Sequence, residues 1–134
     1  MADVMKVQII TPDETFYQGD VTMVELTTTE GNVGIYKNHI PLTAVVAPGV
    51  LRLHEEAGIR EASLMSGFIT ILPEEVTILA EVAEWPDEID FNRANEAKIR
   101  AERRISDHSA ELDVTRAEMA LKRAMVRLSL TDKR

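Results

Sequence analysis

Four arginines near the carboxyl end of the chain have the spacing of an anion-binding set. Arg93 and Arg100 are seven residues apart, and Arg123 and Arg127 are four apart. In a helix both spacings return to one face. Converging guanidinium groups repel one another unless an anion lies among them, and their planar forks suit phosphate oxygens. The four residues therefore predict a phosphate site if two helices bring them together.

The segment that holds these arginines has a helical composition. Residues 87–134 contain no glycine and no proline, and Ala, Glu, Lys, Arg and Leu dominate. Asp90 is a suitable N-cap for a helix ending near Ile105, and the short polar side chains of residues 106–109 predict an interruption. A second helix is predicted from about Glu111 to Ser129. The short connection favours an antiparallel hairpin, which would place the start of the first helix beside the end of the second.

Each predicted helix has an apolar stripe built largely from alanine. The two stripes are Ala94, Ala97, Ala101 and Ile105, and Val114, Ala117, Leu121, Ala124 and Leu128. Alanine permits close packing but buries little area, so the hairpin is expected to be only marginally stable. Two interpretations stay open at this point: a hairpin that is permanently docked, and a mobile element that opens.

Residues 1–86 have a different character. Apolar and polar residues alternate with period two, and turn formers interrupt them every eight to twelve residues. This pattern predicts a β-sandwich over residues 1–86, followed by the α-helical hairpin over 87–134. The predicted strands cover residues 5–9, 21–26, 42–46, 50–55, 59–65, 68–72 and 76–82.

Charge and composition exclude several classes of function. The net charge is −8, and residues 1–86 carry a balance of −9, which argues against a nucleic-acid surface. The chain has no cysteine, so disulfides and thiolate metal sites are excluded. No secretory signal and no stretch of the roughly 20 apolar residues of a membrane helix is present. Any association with a membrane is therefore expected through partners.

Residues for catalysis are missing from the sequence. There is no phosphate-binding glycine loop, and His39, His54 and His108 lack metal-ligand spacing. The acidic pairs at 55–56 and 74–75 fall at predicted turns, where solvated side chains are expected. We therefore expect no active site and no bound metal.

Several stretches together resemble the epsilon subunit of bacterial F-type ATP synthases over essentially the whole chain. They read IITPDETFYQGDVTMVEL, TTEGNVGIYKNHIPLTAVVAPGVLRL and SLMSGFITILPEEVTILAEVAEWPDEID, followed by the alanine-rich tail. The family often has a glycine pair where this chain has Ser66-Gly67, and a proline-glycine near Tyr36-Lys37-Asn38. Neither difference affects the resemblance.

The resemblance implies a non-catalytic subunit at the foot of the central stalk, on the cytoplasmic face of the bacterial cell membrane. The sandwich would bind the gamma subunit and the proton-driven c-ring, with Glu30 and Gly31 in a loop over residues 29–32 and His39 nearby as contact residues. The hairpin would switch to an extended form that reaches the alpha/beta catalytic hexamer and hinders ATP hydrolysis. Basic residues of the second helix would then meet acidic surfaces.

The segment Ile89-Asp90-Phe91-Asn92-Arg93-Ala94 resembles the motif by which some epsilon subunits bind ATP as a regulatory ligand. The resemblance implies that Asp90 and Glu84 lie near the adenine end. It places Arg93 and Arg100 near the phosphates, with Arg123 and Arg127 completing the clamp; the sequence calls for no magnesium. Asp90 is alternatively only an N-cap. The other functions considered are a structural adaptor with a permanently docked hairpin and a free-standing ATP-sensing module.

Overall fold

A computed structural model describes residues 3–107 and 111–131, with side chains described at 3–107 and 114–131. The chain forms two compact units, Met1–Glu84 and Trp85–Arg134, called here the β unit and the helical unit. The strands described in the β unit are β1 (Met5–Ile10), β2 (Thr15–Val21), β3 (Met23–Thr28), β4 (Gly31–Tyr36), β5 (Leu42–Val46), β6 (Gly49–Glu55), β7 (Gly58–Leu64), β8 (Gly67–Ile71), β9 (Glu75–Ala80) and β10 (Ala83–Glu84).

The strands of the β unit form one hydrogen-bonded path that is folded into a sandwich. The order is β10-β7-β6-β3-β5-β8-β9-β1-β2, and β4 pairs with the other edge of β3. Strand β3 connects the two layers, because its first residues pair with β6 and its last residue, Thr28, pairs with Val46 of β5. The pair β1–β9 is parallel, and each of the other pairs in this path is antiparallel.

Alternation of side chains builds the core of the β unit. In β1 the buried residues are Met5, Val7 and Ile9, with Lys6 exposed between them. The same pattern on the other strands directs aliphatic side chains inward from both layers. Side chains with at most 2% exposure include Val24, Leu26, Ile35, Leu51, Leu53, Ile69, Ile71, Val76 and Ile78.

Tyr17 connects β2, the last strand in the order of the sheet, to β6. Its hydroxyl donates a hydrogen bond of 2.6 Å to Oε2 of Glu55, and Arg60 lies 5.7 Å from the ring centroid. Burial, together with this hydrogen bond, raises the pKa of Tyr17 well above its ordinary value. The prediction that Glu55 is a solvated turn residue is therefore wrong, because its carboxylate is held by a phenol from a strand 38 residues away in sequence.

The helical unit contains a short 3-10 helix (Pro86–Glu88), α1 (Phe91–Asp107) and α2 (Glu111–Thr131). Pro86 suits the first position of a helix, and the Glu88 carboxylate accepts a hydrogen bond of 2.8 Å from the backbone N–H of Trp85. Helix α2 packs against α1 and also against the 3-10 helix that precedes α1. Because only a returning helix reaches both, the two helices run antiparallel.

The predicted fold class, a β-sandwich followed by two helices, is confirmed. Three strands were missed: β2, β4 and the two-residue β10. The predicted loop over residues 29–32 is too long, since Gly31 and Asn32 already pair with β3 and leave Thr29 and Glu30 as the turn. The predicted interruption also begins too early, because residues 106 and 107 are helical, whereas 108–110 lie outside the described residues.

Candidate functional site

The Ile89–Ala94 segment forms the start of α1. Oδ1 of Asp90 accepts a hydrogen bond of 3.1 Å from the backbone N–H of Arg93, and the Asp90 carbonyl accepts one of 3.0 Å from Ala94. Asp90 is therefore the N-cap of this helix. Ile89 and Ala94 are buried, whereas the Arg93 side chain is exposed. The motif thus anchors and caps the helix while leaving one guanidinium accessible.

Burial sets the alignment of the two helices. The four buried alanines of the pair are Ala94 and Ala101 on α1 and Ala117 and Ala124 on α2. Each pair is separated by seven residues, or two turns. An antiparallel alignment that places Ala94 opposite Ala124 also places Ala101 opposite Ala117. All four alanines then lie on one seam, as their burial requires.

This alignment determines which arginines are neighbours. Arg93 precedes Ala94 and Arg123 precedes Ala124, so both extend from the same flank of the seam. At about 1.5 Å per residue, Arg93 lies at a level between Arg123 and Arg127, and Arg100 lies about 10 Å farther toward the connection. The fold therefore places the four predicted phosphate-binding residues along one face of the hairpin.

Two further arginines belong to this face, and the phosphate site predicted from the sequence did not include them. Residues 93–105 and 116–128 share the pattern R-A-x-x-A-x-x-R-A-x-x-R-I/L. An antiparallel pair with a common seam relates the two repeats by an approximate twofold axis, which keeps equivalent positions on the same face. Arg104 and Arg116 therefore join the four. We call this set the arginine face: Arg93, Arg100, Arg104, Arg116, Arg123 and Arg127. The internal repeat was the available signal for it.

Among the residues with described side chains, the helical pair supplies no carboxylate partner to five of the six arginines of the face. No carboxylate among residues 3–107 and 114–131 lies within ion-pair distance of Arg93, Arg100, Arg104, Arg116 or Arg123. Arg93, Arg100, Arg104 and Arg116 are exposed, and Arg123 and Arg127 are half-buried. Such a row of guanidinium groups is suited to a multiply charged anion.

Glu84, predicted near the adenine, is the last residue of β10 in the β unit. The Ser63 hydroxyl donates to its Oε1 at 3.3 Å and lies 3.5 Å from its backbone carbonyl oxygen. Ser63 is fully buried, so this contact fixes the end of the strand.

The predicted partner-contact residues of the β unit lie together. Glu30 and His39 line one cleft of about 470 Å³ between the β3–β4 turn and β5. Gly31 follows Glu30 with φ +119°, a conformation that glycine adopts readily. Next to His39, Ile40 is 80% exposed. The cleft itself combines an acid, an imidazole and the exposed aliphatic side chain of Leu42.

An apolar row on the outer side of the sandwich was not predicted. Val45 pairs with Phe68, and Phe68 pairs with Leu79, on three neighbouring strands. All three side chains are exposed, by 44%, 55% and 51%. Gly67 permits this close pairing, because a Cβ there would overlap the carbonyl oxygen of Leu79. These three side chains form a contiguous exposed apolar row, which makes it a candidate protein-contact surface.

The remaining charged residues of interest pair within the β unit. His54 Nε2 lies 2.6 Å from Oε1 of Glu25, and Arg52 Nε donates to Glu61 at 2.9 Å. Across the residues with described side chains, no group of three His, Cys, Asp or Glu is placed to hold a metal ion. In the same part of the chain, neither helix has the length and apolarity needed to span a bilayer.

Two family models match the chain, one for each unit. The beta-sandwich domain of the ATP synthase Delta/Epsilon chain matches residues 4–86, and its long alpha-helix domain matches residues 87–132. The chain is 42% identical to the ATP synthase epsilon chain of Caldanaerobacter subterraneus subsp. tengcongensis, covering 94% of this chain and 92% of that one. It is 43% identical to the epsilon chain of Bacillus pumilus, covering 96% and 98%.

Solved structures share the fold at lower identity. A chain of the mitochondrial ATP synthase of Euglena gracilis, in an OSCP/F1/c-ring structure, aligns with a TM-score of 0.82 at 24% identity, covering 95% of this chain and 80% of that one. A chain from the central stalk and c-ring of the Tetrahymena thermophila enzyme aligns with a TM-score of 0.58 at 17% identity, covering 96% and 94%. At these identities the likeness concerns the fold.

Proposed function

Because the chain belongs to the ATP synthase delta/epsilon family, we propose that it is the non-catalytic subunit of the central stalk that couples the catalytic core to the proton-driven c-ring. We further propose that its helical hairpin binds ATP as a regulatory ligand and, when extended, hinders ATP hydrolysis. The observation that carries this proposal is the arginine face beside the capped Ile89–Ala94 motif.

The β unit offers two surfaces for partners. The cleft lined by Glu30 and His39 suits the polar loops of a c-ring, since it combines charge with hydrogen-bonding groups. The row of Val45, Phe68 and Leu79 suits the gamma subunit, because burying an exposed aromatic between aliphatic neighbours supplies contact energy. A peripheral place in a membrane complex follows from these contacts.

The helical unit has the donors for a nucleotide. Arg93, Arg123 and Arg127 lie at one level of the arginine face, next to the Asp90 cap, so phosphate oxygens there would meet three guanidinium groups. Oδ2 of Asp90 remains available as an acceptor for a base or ribose group. Bound ATP would neutralise the repulsion on both helices at once and so stabilise the closed hairpin.

A hairpin that opens reversibly to hinder ATP hydrolysis needs closed and extended states of similar free energy. The alanine seam meets this requirement, since four alanines bury much less apolar area than leucines would. Loss of ATP would leave the arginines facing one another and favour the extended form. In that form the same arginines become available to acidic surfaces of the catalytic hexamer.

Titration of ATP into the full chain by calorimetry tests the ligand. We expect the wild-type protein to bind ATP. Its affinity for ATP is expected to fall at least tenfold in Arg93→Gln and in Arg127→Gln. The matched control is Arg103→Gln, which removes an exposed charge on the side of α1 away from the seam and is expected to change affinity less than twofold. Absence of binding at millimolar ATP would contradict the regulatory site.

Truncation of the chain within the assembled enzyme tests whether the hairpin hinders ATP hydrolysis. Removing residues 88–134 is expected to raise ATP hydrolysis while gamma still co-purifies, because the proposed stalk contacts lie in the β unit. Unchanged hydrolysis would favour a structural adaptor, and loss of gamma would show that the stalk contacts are misplaced. A chain that binds ATP but never co-purifies with gamma would be a free-standing sensor.

A further inference from the structure

The arginine face is longer than a nucleoside triphosphate requires. In the alignment set by the buried alanines, the order along the hairpin is Arg127, Arg93, Arg123, Arg100, Arg116 and Arg104. This row spans about 20 Å at about 1.5 Å of rise per residue. Three linked phosphates reach along only part of it, and the proposed ATP site makes no use of Arg104 and Arg116 while the hairpin is closed.

Glu102 and Glu118 point away from this row, whereas Glu96 precedes Arg100 by four residues and Asp107 follows Arg104 by three. Glu102 and Glu118 each follow an arginine of the face by two residues, and two residues turn a helix by about 200°. The far half of the row is formed by Arg100, Arg104 and Arg116. The exposed side chains of Glu96 and Asp107 form no ion pair with any of them. No described carboxylate lies within ion-pair distance of these three arginines.

We propose that the arginine face binds linear polyphosphate, with Arg104 and Arg116 contacting phosphate groups beyond the three that a nucleotide supplies. The inference deepens the proposed ATP site and rests on that function for the near half of the face. Polyphosphate carries charge in an unbroken row, and forks from two antiparallel helices alternate along such a row.

The chemistry of the face favours polyphosphate over a nucleic acid. Single-stranded nucleic acids are bound by basic grooves that also stack bases on aromatic side chains. Phe91 is the one aromatic residue among residues 87–134, and it precedes Arg93 by two positions, which directs it to the opposite flank. The helical unit also contains Trp85, which is half-buried and precedes the 3-10 helix. Helices α1 and α2 thus place phosphate contacts, and no aromatic side chain, on the arginine face.

The test compares the binding of tripolyphosphate and of a polyphosphate of about ten phosphates to the full protein by calorimetry. The additional phosphates raise the affinity only if side chains of the protein contact them. The wild type is expected to bind the longer chain at least tenfold more tightly. The double variant Arg104→Gln/Arg116→Gln is expected to lose this gain and to keep its affinity for tripolyphosphate within about twofold.

A charge-matched control separates specific contacts from overall charge. Arg103→Gln/Lys122→Gln also removes two exposed cations, but each lies two residues from a buried alanine, on the side away from the seam. This variant is expected to retain the preference for the longer chain. The proposal is overturned if the wild type shows no such preference or if both double variants lose it equally.

Two further arms complete the design. A single-stranded oligonucleotide of equal charge is expected to bind at least tenfold more weakly than polyphosphate, and equal binding would overturn the polyphosphate assignment in favour of nucleic acid. If ATP does not bind, but the protein still prefers the longer polyphosphate and this preference still depends on Arg104, only the proposed nucleotide function is rejected. If ATP binds but the protein shows no preference for the longer polyphosphate over tripolyphosphate, only this inference is rejected.

Discussion

The β unit and the helical unit bury very different side chains. The sandwich places Ile, Leu and Val with almost no exposure at its centre, contributed by both layers. On the facing sides of α1 and α2 the buried residues are mainly alanines. At about 25 cal/mol per Å² of apolar area, the first arrangement yields far more free energy than the second. The comparison indicates that the sandwich has the larger stabilising core and that the hairpin is held by weaker packing.

Charge follows the same division. In the β unit Glu25, Arg52, His54 and Glu61 form a connected surface network. In the helical unit six arginines lie on one face, and five of them, all but Arg127, have no described carboxylate within ion-pair distance. The charges of this network therefore balance one another within the sandwich, whereas the arginine face concentrates charge of one sign.

The largest expected effect is in the core of the sandwich. Leu53→Ala removes a fully buried side chain of β6 and is expected to lower the free energy of unfolding of the β unit by about 3 kcal/mol. Amide hydrogen exchange in the strands measures this loss. Leu72→Ala, at a half-exposed position, is the control and is expected to cost less than about 1 kcal/mol. Similar losses at both positions would contradict the assigned core.

An intermediate effect is expected when the hairpin seam is overpacked. Ala101→Leu inserts a large side chain where two helices approach closely, and is expected to destabilise the hairpin by about 2 kcal/mol. Exchange should rise in residues 91–131 and not in the strands. Arg103→Leu adds the same side chain on the outer side of α1 and should leave the hairpin closed. A stable Ala101→Leu hairpin would show that the seam is loose.

The Tyr17 contact predicts how stability depends on pH. Because its pKa is raised above the ordinary value of about 10, its contribution is fully present below that pH and is lost as pH rises toward the folded value. Tyr17→Phe is expected to cost about 1.5 kcal/mol at neutral pH, since it removes a hydrogen bond to Glu55. In urea unfolding, the free energy of unfolding of Tyr17→Phe should fall less between pH 8 and 11 than that of the wild type. Equal losses in both proteins would exclude Tyr17 as the titrating group.

The smallest expected effect separates the two roles of Asp90. Asp90→Ala removes the N-cap and is expected to cost the hairpin about 1 kcal/mol, while Asp90→Asn keeps the cap at almost no cost. Exchange of the first amides of α1 measures the cap. If Asp90→Asn still weakens ATP binding, Asp90 contacts the nucleotide as well; unchanged binding would leave it a cap alone.

Local patterns predicted much of the fold and part of the site. The alternation in β1 and the alanine stripes gave the strands and helices, because both periodicities are read within a few turns of chain. The missed strands β2 and β4 contain Gly19, Gly31 and Gly34, and glycine weakens the alternating pattern. Arg104 and Arg116 were missed because their significance lies in a repeat between two helices, not in either helix alone.

The sequence by itself determined the kinds of elements, the weak seam and the spacing of the arginines, since each depends on neighbours within one helix or strand. The tertiary structure alone decided which distant residues meet. Tyr17 reaches Glu55, and Val45, Phe68 and Leu79 form one row, only because non-local strand pairing sets their register. The arginine face likewise exists because antiparallel packing of two similar helices places both sets of guanidinium groups on the same side.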